Sequence, residues 1–412
     1  MTKKRKPKPS SEKSVPAAYH RFGLNYDPFT TLSLREHNLD CFIGREDLLD
    51  RLTSAMLSLS NAGVAGEPGT GKSSLLQMLR SRVPREFLSV AIGVPLDDAA
   101  YFLGELLREM LVTLPRPRGL NLGRVESSLD KGELNKNAIF LVIKRFTARL
   151  KKPLIVFVDD LEKIKADWNQ HLSRSDRTLQ LLEELKPLME LPRVCFIMSL
   201  QDEFYSKVAE VVKDGAEPTV LGLFRHMVRV EPFEQGPLRR ILQLRLEKAE
   251  FQGSLEDFLE PEVLTLALAL SAGNPRRFLY LISEAMVCGN RRKGSRVEYQ
   301  DLFEAVNEHL KLDRVCKKLL YFLAKAGRAT AANTDLLAFM GLDTISISRR
   351  LEILTKNRLA EIVEVADGVK VYALPGGNLP PLPIPAAADN RFTRTSDGEK
   401  RFDLSGKGGD VS

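Results

Sequence analysis

From residue 20 to residue 232 the chain alternates two apolar patterns. Short continuous runs at Phe87–Val94, Leu154–Val158, Val194–Leu200 and His226–Val230, with a weaker one at Gly63–Ala65, read as strands buried on both faces. Between them, apolar residues three and four apart mark amphipathic helices at Asp47–Leu59, Lys72–Arg82, Tyr101–Leu114, Lys136–Leu150 and Thr178–Met189. Strand and helix in turn predict the α/β class, a parallel five-stranded sheet flanked by helices on both faces.

Around Pro232–Pro237 the alternation stops and only helical periodicity follows, in four segments between Leu238 and Leu310. The third opens on Asn274-Pro275, an N-cap residue followed by proline at the first helical position. Beyond it the pattern predicts three helices, Lys311–Lys325, Thr334–Met340 and Thr344–Asn357. Two strands then follow, Ala360–Ala366 and Val369–Leu374, joined at Asp367-Gly368 by a tight turn. Three helices and a two-stranded wing make a winged helix-turn-helix. The domains expected are a disordered basic tail over 1–18, a phosphate-binding core over 19–235, an α-helical lid over 236–309, the winged helix over 310–375 and a Pro- and Gly-rich tail over 376–412.

Chemistry enters at Gly66-Glu67-Pro68-Gly69-Thr70-Gly71-Lys72-Ser73, a full match to G-x-x-x-x-G-K-[ST], followed by Ser74. Gly66, Gly69 and Gly71 let the backbone curl so that successive N–H groups face a phosphate. The helix beginning at Lys72 turns its positive end to the same anion. Lys72 neutralises the β and γ phosphates, and the Ser73 hydroxyl ligates Mg²⁺. The partner this site needs lies 87 residues on, where the strand Leu154–Val158 ends in Asp159-Asp160. Asp159 holds the Mg²⁺ and Asp160 polarises the attacking water, with Glu162 an alternative base. ATP and Mg²⁺ are the cofactors expected.

Composition changes this picture little. Hydrophobic residues make up 43% and charged residues 28% of the 412, ordinary globular usage. No apolar run is long enough to span a bilayer, and the charged N-terminus has no apolar segment behind it, so a cytoplasmic and possibly nucleoid-associated protein is expected, with no membrane partner. Cys41, Cys195, Cys288 and Cys316 are too far apart for a zinc module, and the five histidines show no metal spacing. Charge is more informative. The net is +7, of which residues 1–16 carry +5 and residues 310–375 carry +4, leaving −2 over 17–309. Contact with nucleic acid is therefore expected from the tail and the winged helix. A short basic tail is equally a solvated arm.

With these residues in place the chain resembles the AAA+ ATPases, and within them the origin-recognition/initiator branch and its relatives among transposition-regulator ATPases. The resemblance rests on Phe42-Ile-Gly-Arg-Glu46, the phosphate loop, the Val156–Glu162 segment, a strand reaching Ser199 and Gly273-Asn-Pro-Arg-Arg277. It implies that Ile43, Gly44 and Arg45 lie by the adenine. It implies that Ser199 is the polar sensor of the γ-phosphate, with Gln201 its competitor, and that Arg276 is the phosphate-reading arginine of the lid. Arg225, with Arg229 nearby, falls where this family places an arginine finger for a neighbouring subunit. The family's usual Asp-Glu is here Asp159-Asp160, one methylene shorter at the second position, which implies slow turnover.

The third helix of the winged module would enter the major groove of duplex DNA. It offers Thr344, Ser346, Ser348, Arg349, Arg350 and Lys356, and Lys370 stands on the wing. Winged helices also meet proteins. The expectation is an ATPase that binds duplex DNA and assembles with nucleotide into a homo-oligomer or onto a partner ATPase subunit, of initiator, transposition-regulator or mobile-element/defence type. The alternatives are a nucleotide-gated signalling or transcriptional switch and a protein-binding adaptor.

Overall fold

Continuous apolar strands need cover on both faces, and the computed structural model shows how the chain supplies it. It describes residues 17–30, 34, 36–93, 98–159, 161, 174–206, 220–310, 313–357, 359–366, 368–374, 392–394 and 400–402. The chain divides into two compact units, 32–232 and 1–31 with 233–412.

A short helix α1 (Ala17–Arg21) belongs to the second of these units. The 32–232 unit then runs α2 (Glu46–Leu57), β1 (Ala62–Ala65), α3 (Lys72–Ser81), β2 (Leu88–Ile92), α4 (Ala99–Thr113), α5 (Leu122–Asp130), α6 (Lys136–Ala148), β3 (Leu154–Val158), α7 (Arg174–Met189), β4 (Val194–Leu200) and β5 (His226–Arg229). The five strands form one parallel sheet in the order β2-β3-β4-β1-β5. Successive side chains point to opposite faces. Ile155, Phe157, Cys195 and Ile197 pack with α2 and α3 through Leu49, Leu52, Leu75 and Leu79. Val156, Val158, Phe196 and Met198 pack with α4, α6 and α7 through Phe102, Leu106, Phe146 and Leu182. At about 25 cal/mol per Å², each large side chain so buried contributes about 1.5–3 kcal/mol.

The second unit contains α8 (Gln235–Lys248), a one-turn α9 (Leu255–Phe258), α10 (Pro261–Ser271), α11 (Pro275–Arg291) and α12 (Tyr299–Leu310). Asn274 caps α11 as its sequence suggests, its side chain accepting the Arg277 N–H at 3.1 Å. Residues 19–31, expected with the phosphate-binding core, pack here instead. The reason is an aromatic cluster: Phe22, Phe29 and Phe251 each lie against Phe258 at centroid distances of 6.1, 5.9 and 5.5 Å. The buried Arg245 adds Nη1 donations to the carbonyls of Pro28 and Thr30 at 2.8 and 2.9 Å.

The same unit continues into α13 (Arg314–Ala326), β6 (Arg328–Thr330), α14 (Thr334–Met340), α15 (Thr344–Lys356), β7 (Glu361–Ala366) and β8 (Val369–Ala373). The strands make an antiparallel sheet in the order β6-β8-β7. The two expected strands are thus joined by a third, β6, that the sequence does not announce. Residues 376–412, expected as a tail, include one antiparallel pair, β9 (Phe392–Arg394) with β10 (Lys400–Phe402). Among the described residues no helix is long and apolar enough to cross a membrane.

Candidate functional site

Strand β1 is buried throughout, and the chain leaves its end through a loop whose backbone favours glycine at three positions. Gly66, Gly69 and Gly71 have φ of 151°, 87° and 109°. At Gly66 a Cβ would lie 2.7 Å from the Val230 carbonyl oxygen, so that position is closed to a side chain on steric grounds too. Glu67 and Pro68 are exposed at the loop's crest. Thr70 is buried, and its Oγ1 donates to the Glu67 carbonyl at 2.8 Å, tightening the turn. Lys72 opens α3 with its side chain buried to 6% exposure, and Nζ donates to the carbonyls of Gly66 at 2.7 Å and Glu67 at 3.2 Å. An ammonium held by the loop's own carbonyls is placed at the mouth of the curled backbone. Ser73 is half-buried at the second position of α3, and Ser74 Oγ accepts the Leu34 N–H at 3.3 Å.

Sheet order brings the other half of the site to this loop. Strand β4 lies between β1 and β3, pairing Val64 with Ser199 and Val158 with Met198. Asp159 follows β3 directly, its N–H donating to Ile92 O at 2.8 Å. Ser199, buried to 1% exposure, donates from Oγ to Asp159 Oδ1 at 2.9 Å. The hydroxyl expected to sense phosphate thus also orients the carboxylate expected to hold the metal. The competitor Gln201 has its Nε2 buried with no hydrogen-bond partner among the described residues. Asp160 and Glu162 lie outside the described residues.

Upstream, Ile43 is half-buried and Gly44 has φ of 68°, with its N–H donating to Glu46 Oε1 at 3.2 Å. Arg45 Nη2 donates to the Glu231 carbonyl. Burial pushes the Arg45 pKa down, against the opposing pull of Asp47 and Glu231. Arg225 is exposed one residue before β5 and makes no ion pair among the described residues. Its neighbour Arg229 is occupied: Nε and Nη2 bond Asp202 Oδ1 and Oδ2 at 2.8 and 2.6 Å. That carboxylate raises the Arg229 pKa.

In the second unit Arg276 is exposed on the first turn of α11. Just upstream, Phe233 N–H donates to Gly273 O at 2.8 Å. On α15, Thr344, Arg349 and Lys356 are exposed, while Ser346 and Ser348 are half-buried. Ser346 is drawn into the helix cap: its N–H and Oγ donate to Asp343 Oδ1 and Oδ2 at 2.8 and 3.1 Å. Arg350 Nη1 pairs with Asp313 Oδ2 at 2.5 Å, and Lys370 Nζ lies 3.7 Å from Glu352 Oε1. Those two cations, grouped in the sequence with Arg349, each lie beside a carboxylate.

A parallel sheet carrying a glycine-curled phosphate loop at the end of β1, with a carboxylate at the end of β3 one strand beyond β4, defines a P-loop nucleotide hydrolase. The family model described as the AAA ATPase domain matches residues 41–197, so the chain carries an AAA ATPase domain and is an ATPase. Its fold is similar to that of Cdc6p from Pyrobaculum aerophilum, at 13% identity and a TM-score of 0.51, covering 84% of this chain and 93% of that one. Also similar are the Aeropyrum pernix ORC1 protein solved in complex with DNA (20%, TM-score 0.44, covering 81% and 90%) and the Thermotoga maritima RuvB Holliday junction branch migration motor (13%, 0.38, covering 78% and 90%). No curated protein matches the chain.

The cofactors of this class, ATP and Mg²⁺, fit the residues present. The loop leaves no room for a side chain at Gly66 and sets an ammonium at its mouth. Its neighbouring donors, the Ser73 hydroxyl and the Asp159 carboxylate, are oxygens, the ligand type a hard cation takes.

Proposed function

We propose that this ATPase binds duplex DNA through α15 and assembles in a nucleotide-dependent way, as a DNA-acting switch or loader of the initiator or transposition-regulator kind. The reading is carried by one observation: the outward side of α15 leaves Thr344, Arg349 and Lys356 exposed, after Arg350 and Lys370 have been spent on Asp313 and Glu352. A helix of a winged module with free hydroxyl and cationic groups suits phosphate and base-edge contact.

In the ATPase core, Lys72 and the loop N–H groups hold the β and γ phosphates, and Ser73 and Asp159 hold Mg²⁺, which neutralises developing phosphate charge. Ser199 fixes the Asp159 carboxylate through its 2.9 Å hydrogen bond. Asp160 positions the water. Ile43, Gly44 and Arg45 flank the base, and Arg276 reads the phosphates from the lid. Arg225, exposed and unpaired among the described residues, serves a neighbouring subunit's site, which makes assembly part of turnover.

A second reading has its own support. The wing exposes Ile362, Val363, Val365 and Val369, aliphatic groups that suit a protein better than phosphate. Measuring duplex affinity across a salt series for the wild type and for Arg349→Ala/Lys356→Ala, with ATP turnover at several protein concentrations, separates the two. The DNA reading expects the double variant to lose affinity and to flatten the log–log salt slope by about 2, with turnover kept. Absence of duplex affinity at low salt in every nucleotide state would leave the adaptor.

A further inference from the structure

Because the sheet of the ATPase core is parallel, all five strands begin at the edge remote from the phosphate loop. Five residues of β3 separate that edge from Asp159, about 17 Å at 3.3 Å per residue. Three connections reach it: 82–87 ahead of β2, 149–153 ahead of β3 and 190–193 ahead of β4. They carry Arg82, Arg85, Arg149, Lys151, Lys152 and Arg193, all exposed, against the exposed carboxylates of Glu86 and Glu190. Among the described residues none of these six cations forms an ion pair.

The cations are held together, and not by carboxylates. Leu88 N–H donates to Pro153 O at 2.8 Å and Leu154 N–H to Arg193 O at 2.9 Å, so the three connections lie side by side. Lys152 Nζ donates to Arg85 O at 2.5 Å. Arg193 donates from Nη1 to Leu150 O at 3.2 Å and from Nη2 to Lys151 O at 2.7 Å. Arg193 keeps φ of 65°, backbone that favours glycine, yet the position holds an arginine.

Helix ends explain part of this. The C-termini of α3, α6 and α7 reach the same edge with about half a negative charge each, which Arg82 and Arg149 answer. Three such ends offset less than two of the four excess positive charges. Arg85, Lys151, Lys152 and Arg193 remain, in a stretch of chain (17–309) whose net charge is −2.

We infer that this strand-start edge is a second nucleic-acid surface, one that grips the sugar-phosphate backbone of duplex DNA by charge and reads no sequence. Adjacent strands lie about 4.8 Å apart, so β2, β3 and β4 set the cations along roughly 10 Å. That span matches about three phosphates of one DNA strand at 3.4 Å of axial rise each. No large aliphatic or aromatic side chain is exposed in the three connections, which disfavours a lipid surface. The inference stands apart from α15 and does not need it.

The test uses the full chain, a labelled duplex and a salt series. Arg82→Gln/Arg85→Gln/Lys151→Gln removes three charges while leaving Lys152 and Arg193 to lace the connections. It is expected to flatten the log–log slope by about 2 to 3 and to leave ATP affinity unchanged, the nucleotide site being at the opposite edge. Arg82→Lys/Arg85→Lys/Lys151→Arg keeps the charge and is expected to keep the slope. A glutamine variant with wild-type slope and affinity overturns the inference. So does an equal loss in the charge-conserving variant, which would mark a packing role. Displacement of the duplex by polyglutamate at equal charge concentration would assign the edge to an acidic protein and overturn the nucleic-acid reading. Running Arg349→Ala/Lys356→Ala alongside separates the surfaces, since each reading fails only on its own variant.

Discussion

Replacing Gly66 by alanine tests how the phosphate loop is built. The new Cβ would stand 2.7 Å from Val230 O and 3.1 Å from Thr70 Oγ1. A comfortable carbon–oxygen contact is about 3.4 Å, so the shortfall at the carbonyl is about 0.7 Å. Val230 cannot retreat, because its N–H donates to Ala65 O at 2.8 Å and Arg45 holds the next carbonyl. The loop must move instead. A shift of 0.7 Å stretches a phosphate hydrogen bond from about 2.9 to about 3.6 Å, beyond useful range. One charge-assisted bond lost costs about 1.5–3 kcal/mol, which weakens ATP binding by about ten- to 150-fold. Overpacking costs the fold about 1–3 kcal/mol as well, worth about 2–4 °C of melting temperature per kcal/mol in a unit of this size. Gly93→Ala is the control. A Cβ there meets no described atom within 4 Å, and both quantities should stay at wild type. Titration calorimetry with ATP and a thermal melt read the two effects. A Gly66→Ala protein that binds ATP and melts like the wild type would refute this account of the loop.

Ser199→Ala removes the hydroxyl that fixes Asp159 Oδ1, and is expected to lower turnover by about 10- to 100-fold while ATP affinity changes much less, as steady-state rates beside binding titrations would show. Turnover equal to wild type would mean the carboxylate needs no such hold. Burial pushes the Cys195 thiol up to about 12, above its unfolded value near 8.5. Its raised pKa means stability is fully present below about pH 8.5 and falls as pH rises toward 12, since only the unfolded chain ionises first. Denaturant midpoints should therefore drop from about pH 9 upward, less so in Cys195→Ala. Parallel drops in both proteins would clear this thiol of any part.

Much of the core was legible because its strands announce themselves. Leu154–Val158 and Val194–Leu200 are read to the residue, since a run buried on both faces has no other use in a chain of this pattern. Helix α5 was missed because only Leu122 and Leu129 are buried along it, too few for a stripe, though Asn121 as an N-cap was there to be seen. Strand β6 is three residues with Ala329 alone buried, below what periodicity can detect. The placement of residues 19–31 with the helices depends on Phe22 and Phe29 finding Phe258, more than two hundred residues away in the chain. Of the site, the phosphate loop is contiguous and so readable. The contact of Ser199 with Asp159 exists only because β4 lies beside β3. The cationic edge comes from three separated connections, and the net charge of the surrounding chain is slightly negative, which hides it from any running sum.

On either side of Pro232 the backbone is fastened within its own unit. The Glu231 carbonyl is gripped by Arg45, and the Phe233 amide is fastened to Gly273, at the head of the Asn274-Pro275-Arg276 turn. Pro232 alone remains between the two fastenings, and its ring freezes one of its torsions. With both its neighbours fastened in this way, Pro232 has few bonds left to turn.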